Sequence, residues 1–227
     1  MNSIANKVAL PFFAEMQNDY KKLGQTYSSF ISKISLINFP LCVLLGSLSP
    51  YLLICLYGDS YSDAVPVLTI MAIWGMLASV GNPINNIIVS VGRTDMSFKY
   101  VIIRLIITTP ILTLAARYGL IATAFATVAC EAIIIIVSWY MELWKTIRMS
   151  FKSFYSSFLY DLLLSIIIVI LANYVISFIG VDSKYVGLFL SLIITLALYS
   201  ILFLMLRRDR LIEMKNLSKL FLNNLHR

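Results

Sequence analysis

AVPVLTIMAIWGMLASVGNPINNIIVSVG, residues 64–92, contains no Asp, Glu, Lys or Arg. A helix crossing the roughly 30 Å hydrocarbon core of a bilayer needs about 20 apolar residues, so this stretch is long enough to span it. Residues 34–58, 162–181 and 185–206 are equally free of charge. Two further apolar stretches, near 97–116 and 119–141, are interrupted by charge, the first by Arg104 with Lys99 at its start and the second by Glu131 alone, and are joined by the short turn Arg117-Tyr118-Gly119. With 60% hydrophobic residues in 227, a soluble domain would have to bury more Ile, Leu and Ala than its interior holds. The reading is an all-α polytopic membrane protein with six transmembrane helices.

Basic residues fix an expected orientation, because Lys and Arg in short loops are retained on the cytoplasmic side. With residue 1 inside, all but Arg117 and Lys184 of the 18 basic residues fall on one side. Both termini are then cytoplasmic. The net charge of +7 follows from this retention and from attraction to anionic lipid, and no nucleic-acid partner is expected. Cys42, Cys55 and Cys130 lie in or at the ends of spans, and His226 is the sole histidine. No ligand spacing for metal or redox chemistry results, so no metal and no cofactor are expected.

The organisation expected is residues 1–29 as the end of a preceding helix with a cytoplasmic interfacial linker, 30–141 as four spans, 142–157 as a cytoplasmic interfacial loop, 158–206 as two additional spans and 207–227 as a basic cytoplasmic tail. Val8 to Phe13 reads as the close of some earlier element, and the polar stretch after it as a short interfacial helix. The chain therefore reads as starting partway through a larger protein.

Polar residues inside the spans are the functional candidates. In the first span Ser35, Asn38, Cys42, Gly46 and Ser49 recur at three- and four-residue steps, which places them on one helix face; such a face serves helix packing or solute contact. In the second, Ser79, Asn82 and Asn86 share a face with Asn85 beside it. Pro83 removes a backbone donor there, and freed backbone groups at membrane depth require protein or a watery cavity around them. Gly81-Asn82-Pro83 is thus expected to kink the span towards the interior, with the asparagines bonding a hydroxyl-rich solute or neighbouring helices. In the fourth span Glu131 shares a face with Thr123, Thr127 and Ser138; an ionisable residue at that depth is a functional candidate for substrate contact or ion coupling. Arg104 lies only seven residues into its helix, and snorkelling to the interface or a phosphate contact is favoured over a direct pair with Glu131. The fifth and sixth spans, poor in polar groups apart from Asp161 and Asn173, read as lipid-exposed.

Several motifs in order carry a family resemblance: Pro11-Phe12-Phe13-Ala14-Glu15-Met16-Gln17-Asn18-Asp19, Ile37-Asn38-Phe39-Pro40, Tyr57-Gly58 before an acidic turn, Ser79-Val80-Gly81-Asn82-Pro83 and Val91-Gly92-Arg93-Thr94-Asp95 with Ser97-Phe98-Lys99. Together they resemble the carboxy-terminal half of a Wzx-like bacterial polysaccharide flippase of the colanic-acid-exporter type, in the superfamily that includes multidrug and toxin extrusion (MATE) transporters. The resemblance implies a MATE-like fold, of which the six spans are the carboxy-terminal lobe plus two extra helices, helices nine to fourteen by order. It also implies movement of undecaprenyl-diphosphate-linked oligosaccharide units to the periplasmic leaflet of the bacterial inner membrane, with no bond made or broken. Alternating access needs a second body to rock against, so an amino-terminal lobe or complementary chain is an expected partner.

Under this reading Asn38, Ser79, Asn82, Asn85, Asn86 and Glu131 are substrate-pathway candidates. Arg93, Lys99 and Arg104 are candidates for a diphosphate or lipid headgroup. A membrane enzyme is disfavoured, since the expected outer loops, 59–63, 117–119 and 182–184, are too short to carry a catalytic site. A non-transporting scaffold or inactive remnant is the alternative, in which the polar stripes are packing faces only.

Overall fold

The computed structural model describes residues 19–179 and 184–206, and within them the chain is helical with no strand. The order is α1 (Tyr20–Tyr57), a 3₁₀ turn (Asp59–Ala64), α2 (Val65–Gly81), α3 (Ile84–Ser90), α4 (Thr94–Ala116), α5 (Leu120–Ser138), a π-helical turn (Trp139–Trp144) continued by Lys145–Ile147, α6 (Phe151–Ser156), α7 (Leu159–Ile179) and α8 (Lys184–Leu206). Five described segments are long and apolar enough to cross a membrane: Tyr20–Tyr57, Asp59–Gly81, Thr94–Ala116, Leu120–Ile147 and Leu159–Ile179. The sixth expected span is occupied by α8, whose apolar described stretch, Tyr185–Ile201, is shorter. This is an all-α, multi-pass membrane protein. The expected preceding-helix end, the tail from residue 207 and most of the last outer turn lie outside the described residues.

The first helix is longer than its sequence suggested. Asp19 caps it, its Oδ1 accepting from the Lys22 N–H at 3.0 Å, and helix continues unbroken for 38 residues to Tyr57. At 1.5 Å per residue that is about 57 Å, far more than the hydrocarbon requires. The separate interfacial helix expected before residue 30 is therefore, from Tyr20 on, the first turns of α1. Its apolar residues Leu23, Tyr27 and Ile31 recur every four positions and are fully buried. The helix α6 meets this face at Tyr27, on which Phe154 is stacked at 6.3 Å between ring centroids. Outside the lipid this burial carries the ordinary hydrophobic gain, about 1.5 to 3 kcal/mol per large side chain.

Three helices pack on α1: α2, α7 and α8; α5 packs on α2, and α4 leans on α5. The centre of this arrangement is Gly46. A Cβ there would sit 3.2 Å from the Ala72 Cβ of α2 and 3.3 Å from the Val169 Cγ1 of α7, so a larger residue would push both neighbours back by a few tenths of an ångström. Four residues later, Pro50 lies inside α1 and lacks the N–H that would bond the Gly46 carbonyl. That carbonyl instead accepts from Ser49 Oγ at 2.9 Å, Thr69 Oγ1 of α2 at 3.4 Å and Asn173 Nδ2 of α7 at 3.4 Å.

The small-residue face of α1 is thus a packing face along much of its length. The fifth span, expected to be more lipid-exposed, is exposed on one face only: Leu163, Ile167, Ile170 and Tyr174 of α7 are exposed, whereas Leu162, Ile168, Val169, Ala172 and Ile176 are buried. The most exposed span is α4, with none of its most apolar window buried.

Gly46→Val is expected to overpack this junction and lower stability by about 1 to 3 kcal/mol. Chemical denaturation of the chain in micelles measures it, and an unchanged midpoint would contradict the junction.

Candidate functional site

The second span is two helices, not one kinked helix. Pro83 cannot donate to the Ser79 carbonyl, and the helical ladder ends with the Asn82 N–H bonding Ala78 at 3.0 Å before α3 begins at Ile84. Asn82 and Pro83 both keep right-handed helical angles, so the break is a lapse of the hydrogen-bond ladder and not a loop. The next carbonyl, Val80, receives the Tyr27 hydroxyl of α1 at 3.5 Å, the long limit of a hydrogen bond. Ser79 turns its own hydroxyl onto the Met76 carbonyl at 2.7 Å.

Glu131 lies against this break. A Cβ on Gly81 would be 3.4 Å from Glu131 Oε1 and 3.5 Å from Ile135 Cγ1, ordinary contact distances that place the carboxylate of α5 beside the α2 terminus. Glu131 follows the start of α5 by eleven residues, about 17 Å of helix, and it is buried. Its Oε2 accepts from Arg104 Nη2 of α4 at 3.0 Å.

The direct pair disfavoured from sequence is therefore what forms. Arg104 lies about two turns into its span, and its long side chain reaches Glu131, which is paired with no other cation among the described residues. The side chains are unequal in exposure, 37% for Arg104 and 5% for Glu131. A buried carboxylate is neutralised by a cation that still opens to the surroundings of the bundle.

The remaining candidates separate into three groups. Asn38 is committed to packing, its Nδ2 donating to the Gly75 carbonyl at 3.4 Å. The hydroxyls of Thr123, Thr127 and Ser138 each bond a carbonyl of their own helix. Asn82 and Asn85 are exposed on the outer side of the break, while the side chain of Asn86 lies outside the described ones. Arg93 and Lys99 are exposed, and Arg93 Nε meets Asp95 Oδ1 at 3.4 Å. Exposed polar candidates are thus Asn82, Asn85, Arg93 and Lys99, while Arg104 is half-buried on Glu131.

Sequence reasoning missed the roles of Tyr27 and Glu142. Tyr27 acts through a contact between distant segments that no local pattern reveals. Glu142 follows Glu131 by eleven residues, which is three helical turns, and this signal was available; the residue was assigned instead to the interfacial loop. Open grooves of about 480 Å³ beside Thr69, Ile73, Phe125 and Asn173 and about 340 Å³ beside Gln25, Ser29 and Lys33 lie away from the ion pair. Among the described residues no group of three His, Cys, Asp or Glu is placed to hold a metal.

Arg104→Met and Glu131→Gln should each destabilise the chain, and the double variant should fall short of their sum by about 1 to 3 kcal/mol, the range for directly coupled side chains. Unfolding midpoints of the four proteins in micelles complete the cycle. Strict additivity would mean that the pair contributes nothing.

The family model described as polysaccharide biosynthesis protein matches residues 1–66. The chain is 26% identical over 155 residues to the lipopolysaccharide biosynthesis protein WzxC of Escherichia coli (strain K12), covering 68% of this chain and 32% of the relative. It is 29% identical over 100 residues to the teichuronic acid biosynthesis protein TuaB of Bacillus subtilis (strain 168), covering 44% and 21%. With the amylovoran biosynthesis protein AmsL of Erwinia amylovora it shares 31% over 104 residues, covering 46% and 27%. No solved structure matches the chain. The matched segments span about a third or less of these relatives. The chain is thus a multi-pass helical protein that is similar, over part of its length, to polysaccharide biosynthesis proteins.

Proposed function

We propose that the chain forms the carboxy-terminal part of a transporter that moves undecaprenyl-diphosphate-linked oligosaccharide units across the bacterial inner membrane, with both ends of the chain on the cytoplasmic side. Relatives named for lipopolysaccharide, teichuronic acid and amylovoran biosynthesis support a polysaccharide cargo. The observation that carries the reading on this chain is the exposure of Asn82 and Asn85 beside a proline break, backed by the ion pair of Arg104 and Glu131. In the membrane, exposed amides are stable only where water, another helix or a polar cargo meets them.

On this reading Asn82, Asn85 and Asn86 exchange hydrogen bonds with sugar hydroxyls, and Ser79 and Asn38 hold the helices that carry them. Arg93, Lys99 and Arg104 offer positive charge to the diphosphate, Arg104 by turning from Glu131 towards a competing anion. Translocation makes and breaks no covalent bond, so no catalytic residue is assigned. The second face of the pathway comes from a complementary helical body, because one lobe cannot enclose a cargo and rock against itself.

The test expresses the chain alone and together with the amino-terminal part of a relative, in cells lacking their own flippase, and measures surface polysaccharide. Export is expected only in the paired case. Asn82→Ala with Asn85→Ala should lower it about tenfold, the equivalent of two lost hydrogen bonds of under 1 kcal/mol each, at unchanged protein level. Full export by the double variant would remove the asparagines from the pathway; absence of export from the paired wild type would overturn the reading.

A further inference from the structure

Glu142 is a second buried carboxyl group, and the transport reading makes no use of it. It is 1% exposed and sits in the π-helical turn Trp139–Trp144 that ends α5. Such turns interrupt α-helices most often at functional positions. Its Oε1 has no hydrogen-bond partner among the described residues. Thr146, one turn further on, and Tyr155 of α6 also carry buried hydroxyl oxygens without a partner there.

The neighbouring cations are committed elsewhere. Arg104 is bonded to Glu131, Lys145 stands 5.0 Å over the Tyr140 ring, and Arg148 and Lys152 are exposed. The elements packed on this turn are α3, α4, α5 and α6, with α1 touching its continuation. From α1 Tyr27, and from α4 Tyr100, lie within electrostatic reach of Glu142. Tyr100 is also within reach of Arg104 and Glu131. The helix α3 brings no ionisable group, and α6 brings Tyr155 and the exposed Lys152.

A carboxyl group so enclosed, with no paired cation and one oxygen without a donor among the described residues, is stabilised by carrying its own proton. We propose that Glu142 is a proton-binding site at the end of α5, linked through Tyr100 to the Arg104–Glu131 pair. Protonation forms one O–H bond and cancels one charge, and needs only a proton from water. When the proton leaves, Arg104 gains a second anion to turn towards, and the bond to Glu131 weakens. The inference does not depend on the transport reading, and its test uses no cargo.

The experiment is infrared difference spectroscopy of the whole chain in lipid nanodiscs across a pH titration. A protonated-carboxyl C=O band is expected at neutral pH, disappearing as the pH is raised. Glu142→Gln should remove it, whereas Asp161→Asn, which alters another buried acid, should leave it. In Arg104→Met its titration midpoint should move. A band that survives Glu142→Gln, or one lost in Asp161→Asn instead, would overturn the proposal.

Carbodiimide labelling of the unmutated chain, read by mass spectrometry, keeps the test independent of whether a variant folds. Labelling at Glu142 that falls with rising pH supports the site, and absence of label there at neutral pH sinks it.

Discussion

A proline inside a membrane helix leaves a carbonyl that lipid cannot satisfy, and the bundle is organised around that constraint. Pro50 frees the Gly46 carbonyl, and Ser49, Thr69 and Asn173 from three helices gather on it. Glycine at 46 lets α2 and α7 stand at the spacing from which their side chains arrive. The lack of a Cβ and the lack of an N–H four residues later thus act together. One permits close approach, and the other supplies the acceptor that makes close approach favourable. In lipid, where apolar contact gives little preference for one neighbour over another, these hydrogen bonds select which helices meet.

The break at Pro83 meets the same constraint differently. Only Tyr27 reaches it from α1, at long range, and the chain separates into α2 and α3. Polar groups collect there on two sides: Glu131 beside Gly81 within the bundle and the exposed amides of Asn82 and Asn85 outside it. Arg104 holds Glu131 through one end of its guanidinium while much of the side chain is open. A half-buried ion pair of this kind is held less firmly than a fully enclosed one, because the exposed partner has alternatives. That is the property a site must have if an anionic cargo is to compete for the arginine.

The spans were legible because uncharged length is a property of composition, and residues 64–92 or 162–181 admit no other reading. The identity of the polar face on α1 was also legible, since periodicity places Ser35, Asn38, Cys42, Gly46 and Ser49 together; that it packs against α2 was not, because the partner is distant in sequence. Arg104 illustrates the harder limit. Its depth in α4 permitted either an interface contact or a reach to Glu131, and only the lean of α4 on α5 decides between them. Glu142 was lost to a boundary, because the aromatic and basic residues after Met141 resemble a loop while the backbone continues as a π turn.

The central claim is that the polar groups divide into those closed on backbone carbonyls within the bundle and those, at Asn82 and Asn85, that meet the cargo. Its most direct test is thiol labelling in membranes with a membrane-impermeant reagent, in a background with Cys42, Cys55 and Cys130 replaced and the complementary body present. Cysteine at 82 or 85 should be labelled, and lipid-linked oligosaccharide should protect it, while cysteine at Ser49 stays unreactive. Equal silence at all three positions, or labelling that cargo does not alter, would contradict the account.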